Sequence, residues 1–418
     1  MKSFFFLPLL WIFTILLSIV WTFENPDKIE KIKNRFKKDK KIEVSKVDMN
    51  SKDIVANSFT VSVSQVLKVE DKTAFVIYDG KEKNFDISKL EIFTQRGFVI
   101  NNFNLKKLKL PKYFTLQRNG GVKTIISLND ERIALISGNE KKCFFASLIL
   151  LSTGRELFKS KCLPAIAKDN DFNGLGSSNI HLKDKILLTL GTPEKHVSKN
   201  SLLAQDDNSK FGKILEIDKD NLINKINDDS QNLKLDIFSK GHRVPQGLTI
   251  MNDKIFNVEH GPKGGDELNL VLRRKNYGWP RFSYGTDYMK DSGGNGQSYP
   301  VNHESSGYEE PLFAFVPSVG ISSLNNCPII LKKYYNKPCL MALSLYGNNL
   351  RKGYSIIIFL LNESSTKVNS IEKISLDSIV LRHFVTDQHN ILYEDDEGSI
   401  YVSADKKGIY KINFKDFR

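Results

Sequence analysis

Cysteine is scarce in this 418-residue chain: there are four, Cys143, Cys162, Cys327 and Cys339, and no two stand in a CxxC pair. That spacing excludes the common structural zinc sites. The four fall into two sequence-local couples, which leaves open two disulfides or four unpaired buried thiols. Helical periodicity of any length is absent after Lys41, so strands must build the body. No nucleic-acid motif is present. The net charge is +13, but residues 1–41 carry +5 of it, and the rest is spread thinly. Such a spread reads as a basic, soluble surface rather than a polyanion groove. Long apolar runs are missing as well, with one exception. Ser3 to Phe23 is apolar over about twenty residues, the length that crosses a bilayer, with Trp11 and Trp21 as interfacial anchors. No small-x-small cleavage site closes it, so residues 1–23 read as an uncleaved transmembrane signal anchor. From Asp27 to Lys41, eight Lys/Arg face three acids, and Ile29, Ile32 and Phe36 recur at helical spacing. Residues 24–41 are therefore expected to form a basic amphipathic helix at the membrane surface.

What remains is strand-like. Residues 42–105 carry VSVSQVL, AFVIYD and GFVINN between turns, and read as a small β-rich module or a linker without evident chemistry. From 106 to 418 a loose recurrence appears in KTIISLNDERIALISG, SNIHLKDKILLTLG, GLTIMNDKIFNVEHG and GSIYVSADKKGIYKI. Each is an apolar strand, an Asn/Asp/Lys turn and a second apolar strand, the pattern of a propeller blade. Blades of roughly 50 residues give about six over this stretch. The expected fold is an all-β, six-bladed β-propeller, preceded by one N-terminal transmembrane helix and a short β-rich segment. A β-sandwich or another blade number is the competing architecture.

The densest chemistry lies between Gly241 and Pro280, GHRVPQGLTIMNDKIFNVEHGPKGGDELNLVLRRKNYGWP. Two apolar strands alternate here with turns rich in glycine and proline, which can aim backbone carbonyls at a ligand. Arg243 and Gln246 supply a planar cationic fork and an amide, and Asp266 and Glu267 supply carboxylates. Together they can hold an anionic ligand beside a hard cation.

GHRVPQGL, EHGPKGGDELNL and KNYGWP, in that order, resemble the signature of the PQQ-dependent soluble glucose dehydrogenases and aldose sugar dehydrogenases, the glucose/sorbosone dehydrogenase family. The similarity is traceable from about Asn119 to the C terminus. It implies a six-bladed propeller, a PQQ cofactor chelating Ca2+ over the central channel, and oxidation of an aldose at C1 to the lactone with hydride transfer to PQQ. It further implies a quinone or cytochrome as electron acceptor. On this resemblance Arg243 contacts the quinone oxygens, Gln246 and Arg382 are further cofactor contacts, and the carbonyls of Gly261 and Pro262 ligate calcium. The base histidine of the family is replaced by Asp171, a candidate catalytic residue together with Arg243, since a carboxylate of raised pKa could act as base; the second acid is replaced by Thr192, an asparagine by Val244 and a late lysine by Tyr346. These departures open a second reading, a catalytically inactive propeller that binds a carbohydrate or protein partner. Arg243→Ala is expected to abolish activity with thermal stability nearly unchanged. The basic flank alone would place the body in the cytoplasm. The resemblance implies the opposite, an inner-membrane anchor with a periplasmic body, and that is the expectation adopted.

Overall fold

Pairs of left-handed residues set the hairpins of this chain. In the computed structural model, Asn102-Phe103, Lys141-Lys142 and Asn252-Asp253 have positive φ at both central positions, with Asn252 at 50° and Asp253 at 58°. Two-residue turns of that hand match the twist of the strands they join, and asparagine and aspartate enter the region at small cost. The described residues are 42–47, 50–80, 82–194, 196–287, 298–345, 355–376 and 379–418. The apolar run at 3–23, the basic segment at 27–41 and Tyr346 lie outside them. Among the described residues no helix is long and apolar enough to cross a membrane.

The unit Val44–Arg418 holds six antiparallel sheets. Blade 1 is Thr73–Tyr78, Leu90–Thr94, Phe98–Asn101 and Asn104–Lys107; blade 2 is Val122–Leu128, Glu131–Glu140, Cys143–Leu150 and Arg155–Lys159. Blade 3 is Asn179–His181, Lys185–Leu190, Lys213–Asp218 and Asp236–Lys240; blade 4 is Val244–Met251, Lys254–His260, Asp266–Val271 and Phe313–Phe315. Blade 5 is Ile321–Asn326, Cys339–Ser344, Ser355–Leu361 and Val368–Ser375. Blade 6 takes Leu381–Phe384, Ile400–Ala404 and Gly408–Lys415 from the C terminus and its fourth strand, Thr60–Val69, from the other end of the chain. The first strand of each blade packs against the first strand of the next, and that of blade 6 against that of blade 1, so the ring closes. This is a six-bladed β-propeller.

The core is divided into layers between neighbouring blades. Ile126, Leu135 and Leu148 of blade 2 pack on Leu188 and Leu215 of blade 3, and Met341 and Ile358 of blade 5 pack on Val402 and Ile412 of blade 6. The inner strands of the blades bury both faces, which explains the continuous apolar runs such as Ser355–Leu361, SIIIFLL.

Two expectations need correcting. Residues 42–105 are neither a separate module nor a linker: they supply nearly all of blade 1 and the strand that closes blade 6. The division of the chain at 105/106 therefore cuts through the last strand of blade 1. Two short helices, Lys219–Asn227 in blade 3 and Ile329–Tyr335 in blade 5, also sit on strand connections that showed no long periodicity.

The cysteine question resolves to disulfides, Cys143–Cys162 within blade 2 and Cys327–Cys339 within blade 5. They close loops of 19 and 12 residues, and constraint of the unfolded chain at those lengths is worth about 3 kcal/mol each. Cys327→Ser is expected to lower unfolding free energy by about that amount, measured by urea titration. A variant with the wild-type midpoint would contradict the bridge.

Candidate functional site

The first strands of five blades share one irregularity near their starts. Their pairing with the second strand shifts register at Ala74 in blade 1, Lys123 in blade 2, Gln246 in blade 4, Ser322 in blade 5 and Arg382 in blade 6. A bulge leaves one residue unpaired and re-aims its side chain. Ala74, Lys123, Gln246 and Arg382 line one open cavity at this mouth of the channel, together with Lys72 and His383. Thus Gln246 and Arg382, far apart in sequence, occupy matching places on two blades, and Lys123 is their counterpart on a third. Lys123 was missed in the sequence. Its only signal is a lone lysine in the otherwise apolar VKTIISL, which reads equally well as a solvated strand end.

Arg382 is held by Asp405 through two bonds, Nε to Oδ1 at 3.1 Å and Nη2 to Oδ2 at 2.5 Å. Desolvation, reinforced by the Arg382 charge, pushes the neighbouring His383 imidazole down to about 3. His383 is neutral at any physiological pH, and the cavity's fixed positive charge comes from Lys72 and Arg382.

Beside the mouth, the loops named in the sequence converge. The amide of Thr192 donates to the Arg243 carbonyl at 2.8 Å, that of Ser177 to Pro245 at 2.9 Å, and that of Gly191 to Leu175 at 2.8 Å. These bonds join the Asp171 turn, the Thr192 loop and the Arg243 strand. A Cβ on Gly191 would lie 2.6 Å from the Arg243 carbonyl oxygen and 2.4 Å from that of Gly174, so only glycine lets the three segments meet. Arg243 Nη1 in turn donates to the Gly261 carbonyl at 2.6 Å, and the guanidinium stands 5.1 Å from the Trp279 ring. Arg243 is only 8% exposed, and its Nε has no partner among the described residues. A buried guanidinium N–H without an acceptor is costly, and it marks where a ligand oxygen belongs.

Carboxylates crowd the far side of this arginine. Glu259 accepts from the Arg243 amide at 2.7 Å and from His242 Nδ1 at 3.0 Å. Asp266 Oδ2 receives three amides, Val319, Gly320 and Ile321, and so fastens blade 4 to blade 5. Glu194, which the sequence reading passed over, is buried two residues after Thr192 and accepts from Thr192, Ser198 and Ser201. Desolvation raises its carboxyl, and the Ser201 hydroxyl and the Arg243 charge partly oppose this. It supplies near Thr192 the acid that Thr192 itself lacks. Glu267 is also buried, and desolvation, reinforced by the Glu259 charge, holds its carboxyl well above the usual range. Its folded pKa exceeds the unfolded one, so the stability it contributes is complete at low pH and is lost as pH rises through the folded value. Glu267→Gln is therefore expected to raise Tm at pH 8 relative to wild type and to leave it unchanged at pH 4; equal Tm values at pH 8 would contradict the burial argument.

Asp171 does not stand free. Its Oδ1 accepts from the Asn173 amide at 2.9 Å, capping the short turn Phe172–Leu175, and from Asn119 Nδ2 at 3.0 Å. Of the histidines nearest the base position in sequence, His260 bonds the Ile321 carbonyl through Nε2, and burial lowers its pKa. His181 lines a different cavity with His389, at the opposite ends of the first strands.

Sequence comparison agrees with this arrangement. Residues 151–339 match the Glucose / Sorbosone dehydrogenase family. This chain is similar to the glucose/sorbosone dehydrogenases. Over 97 residues it is 36% identical to quinoprotein glucose dehydrogenase B of Acinetobacter calcoaceticus, covering 23% of this chain and 20% of that one. Over 130 residues it is 32% identical to aldose sugar dehydrogenase YliI of Escherichia coli K12, covering 29% and 33%. These alignments span a third or less of either relative. A solved glucose dehydrogenase superposes with a TM-score of 0.60 at 18% identity, over 88% of this chain and 98% of its own. The PQQ-bound aldose sugar dehydrogenase of Streptomyces coelicolor gives 0.55 at 14% identity, over 88% and 98%. At those identities the structures share the fold.

The residues present fit the family's acidic quinone: an unanswered Arg243 Nε, a bulged Gln246 amide and a mouth carrying Lys72, Lys123 and Arg382. They do not fit a divalent ion as they stand. The Gly261 carbonyl expected to ligate calcium is taken by Arg243, and among the described residues no three His, Cys, Asp or Glu side chains converge as a metal cluster. The expected metal pair Gly261 and Pro262 is thus in place beside Arg243, with a guanidinium at the first carbonyl. No step below runs through calcium.

Proposed function

We propose that this chain binds PQQ at the cationic channel mouth and oxidises an aldose at C1 to the lactone. The observation that carries the reading is the buried Arg243 Nε, without a partner among the described residues, in a cleft with Gly261 and Trp279, three residues before the Gln246 that lines a second cavity with Lys123 and Arg382. Arg243 and Gln246 would hold quinone oxygens and Arg382 a carboxylate, with Asp405 fixing the Arg382 fork. PQQ, when bound, supplies the two-electron acceptor for the hydride from C1. The positive mouth favours the charge that builds on the acceptor as it is reduced. Reduced equivalents would pass to a quinone or cytochrome.

Membrane anchoring through residues 1–23 and a periplasmic body belong to the same proposal. Two disulfides support an oxidising compartment. A reporter fused to the C terminus should be active outside the cytoplasm; activity only inside would reverse the placement.

The test is reconstitution of the full chain with PQQ, followed by dye reduction across a panel of aldoses. Reduction with at least one sugar is expected, and none with any sugar would leave the inactive-propeller reading in its place. Because Arg243 holds the Gly261 carbonyl, PQQ uptake should be equal with added calcium and with chelator. Uptake that needs calcium would show that Arg243 yields that carbonyl to the ion.

A further inference from the structure

The chain has no histidine where its relatives' base is expected, and Asp171, which caps a turn through Oδ1, does not line the cavity, so the proton acceptor falls to a group that does. Lys123 is the one residue there that combines a bulged, inward-turned position with an amine. Its Nζ donates to the Asn119 carbonyl at 2.8 Å. Asn119 presents that carbonyl because two successive residues, Arg118 at φ 54° and Asn119 at φ 57°, are held in the left-handed region. Non-glycine residues in that region cost energy and persist where the surroundings demand them. The same asparagine donates its side-chain amide to Asp171 at 3.0 Å, so a single strained turn ties Lys123 and Asp171 to one anchor.

From this geometry we infer that Lys123 is the general base of the site, accepting the proton of the sugar's anomeric hydroxyl. The inference rests on the quinone-dependent oxidation proposed above. In the step, the hydroxyl O–H bond breaks and its proton goes to the lone pair of the neutral Nζ. The C1–H electron pair leaves as hydride to the bound ortho-quinone, and C1 becomes the lactone carbonyl carbon. A neutral amine with one N–H committed to Asn119 retains its lone pair for this transfer.

The charge environment supports the assignment. Desolvation, opposed by Asp171 and aided by Arg382 and Lys72, brings the Lys123 amine down to about 7. The groups that face it are Lys72, Asp171, Arg382 and His383, and the neutral His383 contributes no charge near that pH. Lys213 offers a control within the same fold. Burial lowers it to about 7 as well, yet its Nζ is closed in by the carbonyls of Leu203, Ala204 and Phe211 at 2.7, 3.0 and 2.9 Å. A depressed amine becomes a base only where a substrate can reach it.

Two measurements on the full chain test the inference. The first is competitive trace acetylation from pH 5.5 to 9, read by peptide mass spectrometry without PQQ. Lys123 should reach half-reactivity near 7, about three units below an ordinary lysine. The second compares the PQQ-reconstituted wild type with Lys123→Met and Lys123→Arg. Wild-type kcat should rise with pH through about 7, and both variants should lose roughly 100-fold or more in kcat. The arginine variant carries a fixed positive charge and should retain PQQ through gel filtration, so its loss is not one of cofactor. Wild-type kcat and pH profile in Lys123→Met, or labelling of Lys123 with an ordinary lysine profile, would overturn the assignment alone. A wild type that retains PQQ and oxidises no aldose at any pH overturns the functional reading and the base together.

Discussion

Deleting residues 1–69 is expected to leave a chain with no cooperative unfolding transition, whereas deleting residues 1–41 should leave Tm nearly unchanged. The difference lies in Thr60–Val69. This strand pairs with Gly408–Lys415 along its length, and it buries Val61, Val63, Val66, Leu67 and Val69, with Phe59 just before it. Six side chains of that kind contribute on the order of 10 kcal/mol, which matches the whole net stability of a typical protein. Its loss would also bare the edge of Gly408–Lys415, a template for aggregation. A chain beginning at residue 70 that melts cooperatively, with the wild-type midpoint, would show that the ring does not depend on its first strand.

Arg243→Lys is expected to lose roughly 10- to 100-fold in PQQ affinity, the worth of one charged hydrogen bond. Lysine keeps the charge beside Glu194 and Glu259 but loses the fork that serves the Gly261 carbonyl and a ligand oxygen at once. Its Tm should fall by only a few degrees. Arg243→Ala is a different experiment. It removes a buried cation from a cluster of carboxylates, a change expected to cost about 3–5 kcal/mol, where the sequence alone led to an expectation of nearly unchanged stability. Loss of PQQ affinity in Arg243→Ala therefore mixes folding with binding, and the lysine variant separates them. Wild-type affinity in Arg243→Lys would remove the guanidinium from the site.

The local features of the fold were legible, and the long-range ones were not. Asn252-Asp253 and the apolar runs beside it announce a hairpin because turn chemistry acts over neighbouring residues. The pairing of Thr60–Val69 with Gly408–Lys415 leaves no such mark, since nothing within either strand specifies a partner more than three hundred residues away. Hence residues 42–105 read as an appendage, although they complete the ring. At the site, the glycines of Gly241–Pro280 flagged the loops that meet around Arg243. The bulges at Lys123, Gln246 and Arg382 were invisible, because a bulge is a property of two paired strands and not of one. The occupation of the Gly261 carbonyl by Arg243 was equally hidden. Residues that can hold a cation and residues that can replace one look the same in a sequence.

Hydrogen exchange on the full chain, with and without saturating PQQ, tests most directly the claim that the bulged mouth and the Arg243 cleft form one quinone cradle. Protection is predicted in four segments: 118–124, 171–177, 242–247 and 380–384. Protection confined to the opposite mouth, at His181 and His389, or no protection anywhere at saturating PQQ, would contradict it.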